Sequence, residues 1–136
     1  MLYLTHKLIA KENKYEDLVQ QLGLNNVVKF WGKQNNVFDF LEKTHIYCQP
    51  SRSEAISISI MEAMALGLPI IASNVGGISE LVTSNVNGYL FESENETECA
   101  EYLKKLIENE TLRNEFGKNS FDKIRDTKLL TEENIK

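Results

Sequence analysis

Residues 50–80 decide the fold that the sequence predicts, and they read PSRSEAISISIMEAMALGLPIIASNVGGISE. A proline and a polar loop open the stretch, and an apolar segment with helical spacing follows over residues 56–66. Gly67 is placed to end this helix, and the next apolar run has the length of a buried strand. Gly76 and Gly77 come after that run and predict a tight turn.

Helical and strand-like segments alternate on both sides of this stretch. The strand-like segments are short and mostly apolar, as strands are when both of their faces are buried. This pattern predicts an α/β fold in which helices flank a parallel sheet. The predicted strands cover residues 27–31, 46–48, 69–72 and 89–91. The predicted helices cover residues 12–22, 37–41 with Asn35-Asn36 as its cap, 56–66, 78–82, 96–109 and 111–125.

The bulk composition bounds the class of protein. A length of 136 residues with 42% hydrophobic residues suits a single domain over residues 1–136. The formal net charge of −5 gives no basic surface, so we expect no nucleic-acid partner. No apolar run approaches the ~20 residues that span a membrane, and no secretory signal is visible. We expect a cytoplasmic protein, with peripheral contact with the inner face of the membrane as the alternative, and reduced, buried thiols at Cys48 and Cys99.

Two carboxylates flank the start of the helix predicted over residues 56–66. A helix start offers free backbone N–H groups and the positive end of the dipole, so it attracts a phosphate. Glu54 lies in the loop before this helix and Glu62 lies within it. Because a carboxylate can accept hydrogen bonds from two adjacent hydroxyls, the arrangement suits a nucleotide sugar. Ligands of parallel sheets bind at the carboxyl ends of the strands, which indicates the loops 49–55 and 73–77.

A purely structural interpretation of the same residues competes with the functional one. Ser51-x-x-Glu54 and Ser59-x-x-Glu62 both match a capping box, in which the glutamate satisfies backbone donors at a helix start. Spacing alone does not choose between capping and ligand binding for Glu62. Trp31 is interpreted as a core residue rather than as a stacking platform for a base.

Several short motifs occur in a fixed order between residues 50 and 90. They are Pro50-Ser51, Glu54, Glu62-Ala63-Met64-Ala65, Gly67, Pro69, Gly76-Gly77-Ile78-Ser79-Glu80 and Asn87-Gly88-Tyr89-Leu90. This order resembles the donor-binding signature of retaining glycosyltransferases of GT-B architecture, the group 1 or family 4-like class. The likeness extends over roughly residues 15–120. Two glutamates with seven residues between them are a weak signal alone, but the ordered set is specific.

The resemblance implies a Rossmann-like sheet, the C-terminal half of a GT-B enzyme, with a nucleotide sugar as its ligand. It implies that Glu54 contacts hydroxyls of the donor sugar and is the catalytic candidate, and that Glu62 binds the ribose. No metal or other cofactor is expected, because the sequence has no Asp-x-Asp motif. The implied donor-binding residues are Glu54, Ala55, Ile56, Ser57, Ile58 and Glu62, with Gly32, Lys33 and Gln34 near the nucleobase.

The chain departs from the family pattern in two places. Where the family usually has Gly-Phe-Gly, this chain has Ala55-Ile56-Ser57. The Ser57 hydroxyl could reach a phosphate or sugar oxygen, or it could cap the helix, and both alternatives stay open. Nothing in residues 1–14 matches the family's acceptor domain or the Arg and Lys that neutralise the donor diphosphate. We therefore expect a truncated domain whose activity needs an acceptor-binding partner domain.

The sequence thus predicts the donor-binding domain of a glycosyltransferase. The predicted reaction transfers a hexose from a nucleoside-diphosphate sugar to a hydroxyl acceptor with retention, in polysaccharide or glycoconjugate biosynthesis. The alternative is a catalytically inactive nucleotide-binding or interaction module of the same fold, which the departure at the amino terminus favours. Nucleotide binding is common to both, and only transfer of the sugar distinguishes them.

Overall fold

The computed structural model describes residues 2–4, 12–32, 35–53 and 57–126. Four strands and six helices lie in these ranges. The strands are β1 (Leu2–Leu4), β2 (Ile46–Gln49), β3 (Ile70–Ser73) and β4 (Gly88–Phe91). The helices are α1 (Glu12–Gln21), α2 (Val37–Leu41), α3 (Ile58–Ala65), α4 (Ile78–Leu81), α5 (Glu96–Ile107) and α6 (Glu110–Asp126).

The strands form one parallel sheet in the order β1-β2-β3-β4. Each strand therefore pairs with its neighbour in sequence, and all of them point the same way. Gln49 at the end of β2 pairs with Ala72, and Ser73 at the end of β3 pairs with Phe91. The carboxyl ends of the strands consequently share one edge, and the predicted α/β fold with a parallel sheet flanked by helices is confirmed.

Apolar side chains cover both faces of the sheet, because alternate residues of a strand point to opposite sides. Crossovers between sequential parallel strands are right-handed, which places their helices on one common face. Accordingly, the strand residues Tyr47, Ile70 and Ala72 pack with buried residues of α2, α3 and α4. The opposite face is covered by α5 and by part of α6, with buried residues Ile46, Cys48, Ile71, Tyr89, Phe91, Leu106 and Phe116.

The strand predicted over residues 27–31 is wrong. The N–H groups of Val27 and Val28 both bond to the carbonyl of Leu24, at 3.0 and 2.9 Å, so the chain closes a turn there. Val27 is 74% exposed, and the propensity of β-branched residues for strands yields to this local hydrogen bonding. The strand next to β2 is instead β1, in a segment for which no strand was predicted.

The core position predicted for Trp31 is also wrong. Its side chain is 54% exposed, and its ring lies against that of Phe40 with the centroids 5.2 Å apart. Within the described ranges no helix is long and apolar enough to cross a membrane.

Two glycines bring α3 and α6 into backbone contact. Gly67 follows α3 with a φ of +71°, a conformation that side-chain-bearing residues rarely adopt, and so ends the helix as predicted. A Cβ atom added at Gly117 of α6 would lie 2.2 Å from the carbonyl oxygen of Gly67. Only glycine permits this approach, so α6 supports the carboxyl end of α3 directly.

Replacing Gly117 by alanine is expected to lower the free energy of unfolding by about 1–3 kcal/mol, because the new methyl group meets rigid backbone. The sign of this change tests the contact, because alanine in place of glycine ordinarily stabilises a helix by roughly 0.5–1 kcal/mol, whereas here a loss of stability is expected. Urea unfolding measures the change, and the exposed neighbour Lys118→Ala is the matched control. Unchanged or increased stability of Gly117→Ala would show that the two helices do not pack this closely.

Candidate functional site

The loop that leaves β2 is attached to the end of β3. Ser73, the fully buried last residue of β3, donates from its hydroxyl to the carbonyl of Ser51. The same hydroxyl lies 3.5 Å from the carbonyl of Gln49. Residues 50–53 therefore leave the sheet along a fixed path at its carboxyl edge, which is where the ligand loop was predicted.

Ser57 is the N-cap of α3. Its backbone is extended, with φ −100° and ψ 103°, and its Oγ accepts a hydrogen bond of 3.1 Å from the N–H of Ile60. Its carbonyl accepts the N–H of Met61 at 3.2 Å. The side chain is buried, so the capping alternative for Ser57 is confirmed. A contribution of Ser57 to donor binding stays a prediction.

A buried polar chain links strand β2 to this cap. The hydroxyl of Tyr47 donates to Oε1 of Gln49 at 2.9 Å, and Nε2 of Gln49 donates to Oγ of Ser57 at 3.0 Å. All three side chains are at most 4% exposed. Unpaired polar groups are costly in such a place, so each partner restricts the position of the next. Gln49 was predicted only as the first residue of the ligand loop 49–55, although a lone amide at the end of an apolar strand is a visible signal for a buried polar link.

The first turn of α3 keeps two backbone N–H groups without an intrahelical partner. The first four N–H groups, those of residues 57–60, lack such partners, because the N–H of Met61 makes the first intrahelical bond, to the carbonyl of Ser57. The Oγ of Ser57 accepts the N–H of Ile60. Within α3 itself, the groups of Ile58 and Ser59 remain, at the positive end of the helix dipole. Both residues are exposed, with Ile58 at 67%, so none of the described segments covers this end of the helix.

Glu62 lies on the open side of α3. It is partly buried, one helical turn after Ile58 and one turn before Leu66, and both of these neighbours are exposed. The capping interpretation of Glu62 is wrong, because the cap is Ser57 and Ser59 already lies inside the helix. Glu62 is therefore too far along α3 to reach the backbone donors of the helix start.

Some of the other predicted site residues lie outside the described residues, and the others lie within them. Glu54, Ala55 and Ile56 lie outside the described residues, as do Lys33 and Gln34. The capping box suggested for Ser51 and Glu54 is wrong, because Ser51 is not at a helix start: residues 51–53 are loop, and α3 begins only at Ile58. Gly32 is exposed, with a φ of +65°. The structure thus brings Ser57, Ile58 and Glu62 together on one helix.

The loop after β3 is a turn, as predicted. Gly76 has a φ of +53°, and Gly77 precedes the first residue of the short helix α4. Glu80 is exposed on that helix. These residues shape the carboxyl edge of the sheet next to α3.

A shallow depression of about 310 Å³ lies at the ends of β3 and β4. Glu98, in the first turn of α5, accepts a hydrogen bond of 2.9 Å from the N–H of Glu92 there. In the part of the chain that the structure describes, no three His, Cys, Asp or Glu side chains are grouped so that they could hold a metal ion. The depression is lined by Asn74, Leu90, Phe91, Glu92 and Glu98.

Replacing Ser57 by alanine is expected to lower the free energy of unfolding by about 1–2 kcal/mol, because Ile60 loses its cap and the buried amide of Gln49 loses an acceptor. Ser59→Ala is the matched control, since Ser59 is exposed within the same turn, and a change below about 0.5 kcal/mol is expected. Urea unfolding compares the two variants. If Ser57→Ala and Ser59→Ala lowered the free energy of unfolding equally, Ser57 would not be the cap of α3.

Comparison with known proteins gives a consistent family. Residues 9–123 match the family described as glycosyl transferases group 1. An uncharacterized glycosyltransferase of Haemophilus influenzae is 37% identical over 103 residues, which are 75% of this chain and 29% of the relative. The N-acetyl-alpha-D-glucosaminyl L-malate synthase of Bacillus anthracis is 31% identical over 119 residues, which are 85% of this chain and 31% of the relative.

Solved structures have the same fold. Anabaena HepE in complex with UDP superposes with a TM-score of 0.79 at 26% identity, over 90% of this chain and 35% of that one. The chain therefore spans about a third of the length of these relatives. Because the family match covers most of the chain and the sheet has the same architecture, the chain belongs to the glycosyl transferases group 1 and has the Rossmann-like fold of the GT-B glycosyltransferases.

Proposed function

We propose that this chain binds the donor in a glycosyltransferase that moves a hexose from a nucleoside-diphosphate sugar to a hydroxyl acceptor with retention. One observation carries the proposal: the open first turn of α3 and the carboxylate of Glu62 lie on the same helix, at the carboxyl edge of the sheet. A phosphate site and a hydroxyl-binding carboxylate are thereby held on one rigid element. Family membership supports transferase chemistry for this site.

The diphosphate is proposed to bind at the start of α3. The N–H groups of Ile58 and Ser59 point out of the helix end, where the dipole favours negative charge. Glu62 follows Ile58 by one turn, a rise of about 6 Å. Its carboxylate can accept hydrogen bonds from both ribose hydroxyls while the phosphates stay at the helix start. A single nucleotide can therefore engage both groups.

The remaining site residues are proposed from the resemblance to the family. Glu54 is proposed to contact the hydroxyls of the donor sugar and to be the catalytic carboxylate. The backbone of residues 55–58 is proposed to lie along the sugar and the diphosphate. Gly32, Lys33 and Gln34 are proposed to lie near the base. HepE has been solved with UDP-glucose, which makes uridine nucleotides the first to test.

A second domain is proposed to complete the enzyme. The relatives are about three times as long as the matched segment, and we propose that the acceptor binds in an additional domain of that kind. No metal is proposed to take part, because the sequence has no Asp-x-Asp motif. A cytoplasmic location, with peripheral contact with the membrane as the alternative, stays a prediction.

Calorimetric titration with UDP, GDP and ADP is expected to show binding of at least one nucleotide. Glu62→Ala is expected to weaken that binding tenfold or more, about 1.4 kcal/mol, because the ribose loses its acceptor. Glu80→Ala is the control: it removes the same charge from an exposed position on α4 and should leave the affinity unchanged. EDTA should also leave it unchanged. A folded protein that binds none of the three nucleotides would refute the donor site.

The stereochemical outcome is a separate prediction, tested on the protein together with its acceptor-binding domain. The glycoside formed from an α-linked donor is expected to keep the α configuration, which the anomeric proton coupling reports by NMR. A β-linked product would contradict retention. Nucleotide binding without any sugar transfer or donor hydrolysis, under conditions where a related transferase turns over, would favour the inactive binding module.

A further inference from the structure

The two cysteines of the chain meet across the core layer beneath α5. Their Sγ atoms are 3.8 Å apart, although 51 positions separate them in the sequence. Both are free thiols. Cys48 is fully buried in β2, whereas Cys99, in the first turn of α5, is only partly buried. The predicted pair of buried thiols is thus correct for Cys48 only, and the contact between them was not foreseen.

The two thiols differ in the direction in which their pKa values are shifted. The contact with Cys48 lowers the pKa of the Cys99 thiol, while the contact with Cys99 and burial raise the pKa of the Cys48 thiol. Cys99 is also the more exposed of the two residues, so a soluble oxidant reaches Cys99 before the fully buried Cys48. The reactive form of a thiol is its thiolate, which a lowered pKa favours. A buried partner in contact with a reactive thiolate is the arrangement of an attacking and a resolving cysteine.

We propose that Cys48 and Cys99 form a redox modification site, at which a peroxide converts the two thiols into a reversible disulfide. The Cys99 thiolate attacks one peroxide oxygen, the O–O bond breaks, and hydroxide leaves to give a sulfenic acid. Cys48 Sγ then attacks the sulfenic sulfur, the S–O bond breaks, and the oxygen leaves as water with the proton of Cys48. Two thiols are oxidised, and hydrogen peroxide is reduced to water.

Closure of the bond brings the sulfurs from 3.8 Å to about 2.05 Å. β2 is held by β1 and β3 on its two sides, so the first turn of α5 has to make most of this movement. The middle of α5 is anchored by Tyr102, which stacks on Tyr89 with the ring centroids 4.3 Å apart. Movement of that turn displaces Glu98, so oxidation reshapes the depression at the ends of β3 and β4.

The test treats the folded, fully reduced protein with hydrogen peroxide and then blocks the remaining thiols with N-ethylmaleimide. Intact mass is expected to fall by about 2 Da with no maleimide added, and dithiothreitol is expected to reverse the change. Digestion under non-reducing conditions is expected to yield a peptide that links Cys48 to Cys99. Oxidation of Cys99 to a sulfinic acid without any linked peptide would overturn the proposal.

Two controls isolate the contribution of the fold. In the urea-unfolded chain the linked peptide is expected to form at least about tenfold more slowly, because the sulfurs are no longer held together. Equal rates in the folded and unfolded chain would also overturn the proposal. In Cys48→Ser the sulfenic acid on Cys99 is expected to persist and to be trapped by dimedone. None of these readouts depends on nucleotide binding or sugar transfer.

Discussion

The hydrogen bond between the amide of Gln49 and the hydroxyl of Ser57 joins the end of a strand to the start of a helix. Both groups are buried, so water cannot replace either partner if the bond breaks. The hydroxyl of Tyr47 donates a hydrogen bond to the oxygen of the same amide and so restricts its orientation. The first turn of α3 is therefore placed by the sheet itself, through three buried side chains.

The opposite end of α3 is held by a different means. There the backbone of α6 contacts Gly67, and no side chain intervenes that could change its rotamer. A helix fixed at both ends can leave one face open without moving, and that face carries Ile58, Glu62 and Leu66. Rigid support behind an open face is what precise ligand placement requires. The departure from glycine at Ser57 is compatible with this support, because the serine supplies the cap.

The sequence predicted those parts of the fold that rest on local patterns. Short apolar strands and amphipathic helices are visible in a window of a few residues, and so is the turn at Gly76-Gly77. The same reasoning failed for residues 27–31, because the N–H groups of Val27 and Val28 bond to the carbonyl of Leu24 in a turn. Four serines, at positions 51, 53, 57 and 59, precede or enter α3, and the capping-box spacing matches Ser59 to Glu62 although Ser57 is the cap. The position of the chain as it leaves β2 makes Ser57 the cap, and a linear pattern does not contain that information.

The order of the strands has a consequence for synthesis. Because β1 to β4 pair in sequence, the sheet can grow in one direction as the chain leaves the ribosome. The helices between the strands cover one face at the same time, but α5 and the part of α6 that cover the other face follow the last strand. A nascent chain that ends before Glu96 thus presents an uncovered apolar face that includes Ile46 and Ile71. Such surfaces bind chaperones or aggregate, so this part of the protein is most vulnerable after β4 has been made and before α5 and α6 follow.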